Sequence, residues 1–195
     1  MEVQVNDKLV LAENTHLETE RLVLRPVVMK DAAAMYAYAQ DAEMTRYVFP
    51  THQSLKDTKI SIATIFMADP LGKFAIELKE NQQMIGTIEL RVNISAGTAE
   101  LGYALSRDYW GQGIIPEAAK RLLRLAFEEL RLIRVWAIHD LRNLSSGRVM
   151  QKIGMTHEST VKQAQKIKGE VVDIATYSIT QQAWLAKMKE RSDTK

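Results

Sequence analysis

The stretch Glu100-Leu-Gly-Tyr-Ala-Leu-Ser-Arg-Asp-Tyr-Trp-Gly-Gln-Gly-Ile-Ile-Pro-Glu-Ala-Ala119 reads as a strand, a turn holding two glycines, and the opening of a helix. The first turn of a helix leaves several backbone N–H groups without intrahelical acceptors, so a glycine turn that aims them at one point makes an anion cradle. The helix itself is marked by Ala118, Ala119, Leu122, Leu123, Ala126, Phe127 and Leu130 at three- and four-residue spacing, with charged residues between them. Pro116 suits its first turn, where a missing N–H costs nothing. Gly111 and Gly113 alone would also suit an ordinary tight turn. The dinucleotide pattern G-x-G-x-x-G fails because Pro116 stands at its third glycine, and G-x-x-x-x-G-K-[ST] does not occur. The cradle is therefore expected to serve another phosphate compound.

Upstream of this stretch, Arg21 to Val28 reads as a strand, Asp31 to Ala39 as a helix, and Ser54 as the cap of a second helix running to about Ala68. Strands follow at Lys73 to Lys79, Met84 to Val92 and Thr98 to Leu105. Downstream come a strand at Arg134 to His139, a helix at Ser145 to Ile153, strands near Thr156 to Gln163 and Val171 to Ile179, and a closing helix at Gln181 to Lys189. Residues 1–17 read as an extension with a weak strand pattern at Val3, Val5, Leu9 and Leu11, and residues 18–190 as one domain. The order predicts an α/β fold with a mixed, largely antiparallel sheet flanked by helices.

A second segment, Asn143-Leu-Ser-Ser146 followed by Lys152-Ile-Gly-Met155, completes a set of motifs. Glu100 to Tyr103, Trp110 to Gly113, Glu117-Ala118, Asn143 to Ser146 and Lys152 to Met155 together resemble the GNAT superfamily of acyl-CoA-dependent N-acetyltransferases, and within it the RimJ/RimL-type branch. The resemblance extends from Glu20-Arg-Leu-Val-Leu-Arg-Pro26 to Asp173-Ile-Ala-Thr-Tyr-Ser178, which makes residues 18–190 the acetyltransferase domain. Two departures stand out. Trp110 and Ile115 occupy the ends of the phosphate loop, where the wider superfamily has Gln or Arg and Gly or Ala. No Tyr lies between Asn143 and Met155, where many members carry a general acid, and Ser146 is the hydroxyl at about that location.

The resemblance implies a single-domain fold with splayed strands forming an acyl-CoA cleft, and acetyl-CoA as cosubstrate. The Gln112, Gly113, Ile114 and Ile115 backbone is expected to take the pyrophosphate, with Arg107 beside it, and Ala104, Leu105 and Ser106 to pair with pantetheine. A bulge at Gly102 would splay the strand from the one at Arg134 to His139; the alternative is that Gly102 makes room for a packed neighbour. Asn143 is expected to hold the cofactor or to cap its helix.

Acyl transfer needs a neutral amine, a polarised carbonyl and a protonated leaving thiolate. Glu100 is the expected base, with Glu89 as the alternative, and either could instead be an ion-paired carboxylate. Ser146 is the expected proton donor. His139, at a strand end facing the presumed site, is the histidine nearest the chemistry, and the four histidines lack metal-ligand spacing. Trp110 is expected to pack against the phosphate loop, and Trp136 and Trp184 to be packing residues.

Composition narrows the class further. The 195 residues suit one domain, a net charge of +2 argues against a nucleic-acid surface, and the lack of cysteine removes disulfides, thiolate catalysis and cysteine-bound zinc. No apolar run approaches a membrane span, and the N-terminus lacks a signal-peptide layout, so a cytoplasmic enzyme without membrane partners is expected. A homodimer is compatible with the sequence.

A peptide α-amine has a pKa of about 7.7–8.0 against about 10.4 for lysine, so neutralising lysine costs roughly 3.5 kcal/mol more. That favours a protein or peptide N-terminus, a ribosomal protein's among them, as acceptor. The segment carrying Tyr36, Tyr38, Tyr47, Phe49 and Phe66 shows no acidic cluster to draw a polyamine or aminoglycoside. A small-molecule amine and a non-catalytic acyl-CoA-binding role are the alternatives.

Overall fold

The computed structural model describes residues 5–192, with side chains through 190. Its elements in chain order are α1 (Asp7–Glu13), β1 (Leu17–Glu18), β2 (Leu22–Arg25), α2 (Ala32–Ala39), α3 (Ala42–Thr45), α4 (Leu55–Ser61), β3 (Lys73–Leu78), β4 (Met84–Asn93), β5 (Thr98–Leu105), α5 (Ile114–Arg124), β6 (Arg134–Asp140), α6 (Leu144–Lys152), β7 (Thr156–Ile167), β8 (Glu170–Thr180) and α7 (Gln181–Ser192). Wider, π-type turns extend α4 through Met67 and α5 through Glu129.

Local chemistry accounts for the helix starts. The Asn6 side chain accepts from the Leu9 N–H, Asp41 accepts from the Glu43 and Met44 N–H groups, and Ser54 with Asp57 forms a reciprocal capping box. The first of these caps overturns the expected weak strand at the N-terminus. Leu9 and Leu11 lie on helix α1, Leu11 is buried in the main core, Val5 precedes the helix outside any strand, and Val3 lies outside the described residues.

Among the described residues one eight-stranded sheet runs in the order β1-β2-β3-β4-β5-β6-β8-β7. Every neighbouring pair is antiparallel except β5 with β6. Alternation along the strands sends side chains to two layers. One face, with Leu24, Ile76, Ile88, Leu90 and Val135, packs on the apolar stripe of α5 through Ala119, Leu122 and Leu123. The other, with Ala75 and Ala104, packs on α2 and the α4 extension through Met35, Tyr38, Ile62 and Phe66. Each fully buried Leu or Ile in these layers contributes about 1.5–3 kcal/mol relative to exposure. Trp184 is buried against Phe127, with ring centroids 5.9 Å apart, as a packing residue.

The feature that positions the site is the seam between β5 and β6. They pair only at Thr98–Arg134, Ala99–Val135 and Glu100–Trp136, while β5 runs on to Leu105 and β6 to Asp140. Beyond Glu100 the strands diverge into a wedge. The expected bulge at Gly102 is not its cause, because the β4–β5 register runs unbroken through the Glu89–Gly102 pair. Gly102 is instead the room for a neighbour: a Cβ there would sit 2.8 Å from Nη1 of Arg91.

Candidate active site

The wedge opens into a cavity of about 1210 Å³ that reaches both faces of the sheet. Its floor on one side is the turn into α5. Gly111 and Gly113 adopt φ of 77° and 76°, values that glycine tolerates without strain, and Gly113 is the residue from which the helix starts. The N–H groups of Gly113, Ile114 and Ile115 therefore lead the helix with no acceptor within it, and Pro116 has none to offer. A Cβ built at Gly111 would meet nothing within 4 Å, so the turn faces open space.

The turn is braced from behind. Glu117 accepts from Thr19 Oγ1 at 2.6 Å, from the Arg21 N–H at 2.9 Å and from Arg21 Nε at 2.7 Å, while Arg21 Nη1 donates to the Gln112 carbonyl at 3.1 Å. Burial pushes the Glu117 carboxyl up, but these hydrogen bonds and the Arg21 charge outweigh it and hold it below the ordinary carboxylate range. A negative charge in the first turn also suits the helix dipole.

One edge of β5 is unpaired along the wedge, and the register says which residues own it. The Ser106 N–H donates to the Ile85 carbonyl at 2.8 Å, so Leu105 and Gly86 form a non-hydrogen-bonded pair, and Ala104 turns its backbone groups to β4. The groups that point into the wedge are those of Tyr103 and Leu105 and the Leu101 carbonyl, the Leu101 N–H being taken by the Glu100–Trp136 bridge. This corrects the expectation that Ala104, Leu105 and Ser106 are all available. Even the Leu105 carbonyl is taken, by the Trp110 indole N–H at 2.9 Å, so Trp110 packs across the loop entrance.

Ala104, Leu105, Gly113, Ile114, Ile115, Asn143, Ser146, Glu89 and Glu100 all line the cavity. Ser106, Arg107 and Gln112 do not. Arg107 turns away to Asp41 and Glu43, and the Gln112 side chain donates to the Asp108 carbonyl at 3.0 Å. Asn143 caps α6, accepting from the Ser146 N–H at 3.2 Å and the Ser145 hydroxyl at 2.8 Å.

On the α2/α4 face, Glu89 and Arg91 stand two apart on β4, with Glu100 opposite Arg91 on β5. The Arg91 guanidinium bridges both carboxylates, at 2.9 Å to Glu89 and 2.8 Å to Glu100, lying over Gly102. Arg91 was absent from the expected set. Its signal was the i, i+2 spacing from Glu89, which puts both on one strand face, but the cross-strand partner needs the register. The rest of this side is largely apolar: Tyr38, Tyr47, Phe49 and Phe66 line it, whereas Tyr36 does not and donates instead to the Gln53 carbonyl. The guanidinium carbons of Arg46 and Arg142 lie 5.1 and 5.3 Å from the Tyr47 ring centroid. The tip of the β7–β8 hairpin crosses to this wall, with Lys168 Nζ donating to the Thr45 carbonyl at 2.9 Å.

On the α5/α6 face, Tyr103 reaches from β5 to α6. Its hydroxyl oxygen lies 2.9 Å from Ser146 Oγ and 3.1 Å from the Ser146 carbonyl oxygen, within donating distance of either. Burial, more than the Ser146 contact relieves it, pushes the Tyr103 phenol well up from its ordinary value. His139 is buried with Nδ1 2.7 Å from the Asp140 carbonyl oxygen, while Nε2 lies against Gly147 without a hydrogen-bond partner among the described residues. Asp140, held down chiefly by hydrogen bonding from Arg142, anchors this end of β6. Among the described residues no group of three or more His, Cys, Asp or Glu could hold a metal ion, and no helix is long and apolar enough to cross a membrane.

A helix-start anion cradle, an unpaired strand edge and a carboxylate pair surround one wedge, the arrangement that the resemblance to acyl-CoA-dependent amine acyltransferases implies. Residues 21–156 match the family model described as an acetyltransferase (GNAT) domain, and the chain belongs to that family. It is similar to the uncharacterized N-acetyltransferase p20 of Bacillus licheniformis, at 30% identity over 84% of this chain and 94% of that one. A shorter match, 34% identical over 44% of this chain and 47% of the other, is to the putative ribosomal N-acetyltransferase YdaF of Bacillus subtilis. Among solved structures, the GNAT-family acetyltransferase from Bacillus anthracis superposes with a TM-score of 0.79 at 27% identity, over 86% of this chain and 99% of that one. The protein is an acetyl-CoA-dependent N-acetyltransferase. The free N–H groups at the α5 start fit a pyrophosphate, and the open β5 edge fits an arm bearing two amides.

Proposed function

We propose that the acceptor is the α-amine of a protein or peptide N-terminus. The observation that carries this is the state of the carboxylates on the acceptor side. Glu89 and Glu100 share Arg91, Glu43 is engaged by Arg107, and Asp57 is spent on the α4 cap, so the aromatic wall offers a polycation little to offset its desolvation. A peptide needs only backbone hydrogen bonds and apolar contact there. The match to a relative named as a ribosomal N-acetyltransferase points the same way.

In this reading the Gly113 to Ile115 N–H groups hold the pyrophosphate and the β5 edge aligns the pantetheine arm, which brings the activated thioester to the wedge. Glu100, directly or through a water, takes the proton that the amine nitrogen sheds; Glu89 is the alternative. Ser146 donates its hydroxyl hydrogen bond to the departing sulfur. The test is release of free thiol from acetyl-CoA across a panel of peptides, spermidine and aminoglycosides. Peptides with free α-amines are expected to give the highest kcat/KM, and blocking the α-amine to abolish turnover even where a lysine remains. Spermidine or an aminoglycoside better by tenfold would overturn the reading in favour of a small-molecule amine.

A further inference from the structure

The pairing of Tyr103 with Ser146 joins a strand residue to a helix residue 43 positions away, across the wall of the wedge. A phenol carries one proton. If that proton goes to the Ser146 carbonyl, the 2.9 Å contact to Oγ is made by the serine's own proton, which then points at the phenol and away from the cavity. If it goes to Oγ, the serine proton is free to point into the cavity. The carbonyl sits inside α6, where the N–H four residues on, that of Met150, supplies it with a donor partner in either state. Swinging the phenol from carbonyl to Oγ therefore strands nothing.

We propose that Tyr103 is a positioning residue for acyl transfer, its hydroxyl donating to Ser146 Oγ so that the serine O–H is aimed at the leaving sulfur. This rests on the role given to Ser146 above. In the step concerned the nitrogen–carbon bond forms and the carbon–sulfur bond breaks, with its electron pair passing to sulfur. The nitrogen's proton goes to Glu100 or water. The serine and tyrosine protons stay on their oxygens, because a thiol of pKa about 8.5 leaves as a thiolate far less basic than an alkoxide and takes its proton afterwards from solvent. The two hydroxyls thus act as a polarised hydrogen-bond chain. The departure from the family pattern then has a structural counterpart: the α6 helix has no tyrosine, and β5 lends one.

The test compares Tyr103→Phe, Ser146→Ala and the double variant, with acetyl-CoA and the best acceptor from the panel. Phe keeps the ring that packs against the core, so folding should be retained and is checked by melting temperature. Tyr103→Phe is expected to lower kcat about tenfold, with KM for acetyl-CoA within about twofold of wild type. The double variant should be no slower than Ser146→Ala alone, since a residue acting through Ser146 has nothing to position once the hydroxyl is gone. Unchanged kcat in Tyr103→Phe, or a full tenfold loss on top of Ser146→Ala, overturns the proposal while leaving Ser146 its role. Full activity in Ser146→Ala removes that role and this inference with it.

Discussion

A methyl group at position 102 would test the carboxylate clamp without touching a carboxylate. In Gly102→Ala the new Cβ lies 2.8 Å from Arg91 Nη1, 3.1 Å from Nη2 and 3.3 Å from Cζ, so the guanidinium must move off the strand. Gly102 has no left-handed backbone, so alanine brings no φ penalty. The stability terms nearly cancel. Arg91 is 44% exposed, and its ion pairs, screened by solvent, are worth at most about 1 kcal/mol. Removing a mid-strand glycine returns about 0.5–1 kcal/mol. The melting temperature should therefore stay within about 4 °C of wild type. Activity should not be so indifferent. With Arg91 displaced, Glu100 and Glu89 lose the bridge that fixes them at the cavity wall, and kcat/KM should fall about tenfold, or about 1.4 kcal/mol of transition-state stabilisation. Steady-state kinetics beside a thermal melt reads both numbers. Wild-type kcat/KM would show that the clamp does not serve the chemistry, and a melting temperature lower by 10 °C would show that Gly102 is needed for packing instead.

Three other outcomes are expected. Glu100→Gln should lower kcat/KM by about 100-fold, most at low pH where few amines are neutral, and Glu89→Gln by less than tenfold; the reverse ranking in pH-rate profiles would move the base to Glu89. Saturation with CoA at about 100 times Kd should stabilise the protein by about 2.7 kcal/mol, and Gly113→Ala, forced into a left-handed conformation, should lose both stability and most of that ligand-induced shift in calorimetry. Glu117 and Asp140 have folded-state values below their unfolded ones, so their stabilisation is complete above the unfolded pKa near 4 and is lost as pH falls through the folded value. Melting temperature should be flat from pH 8 to 5 and drop below about pH 4, with Glu117→Gln and Asp140→Asn flattening the drop.

The parts legible in the sequence were those written in local chemistry. The α5 start was readable because Gly113, Pro116 and the Ala118 to Leu130 periodicity all fall within one short stretch, and α4 because Ser54 caps it. The N-terminal helix carried its own signal, Asn6 before Asp7, but alternation at Val3, Val5, Leu9 and Leu11 outweighed it. What stayed hidden were long-range matters. Which edge of β5 is free depends on the β4 register, and a one-residue slip would have given it to Ala104 and Ser106. That Tyr103 meets Ser146 depends on where α6 lies over the sheet, which no periodicity encodes.

The short β5–β6 ladder has a mechanical meaning. Strands β2 to β5 and strands β6 to β8 are each knitted by longer antiparallel registers, yet three residue pairs are all that stitch β5 to β6 within the sheet. The molecule is thus two stiff plates on a narrow seam, spanned beneath by α5. An acyl donor whose amides paired along Leu101 to Leu105 would lengthen that seam like an added strand. Slow amide exchange should spread outward from the wedge when the donor binds, and relax again when free CoA leaves.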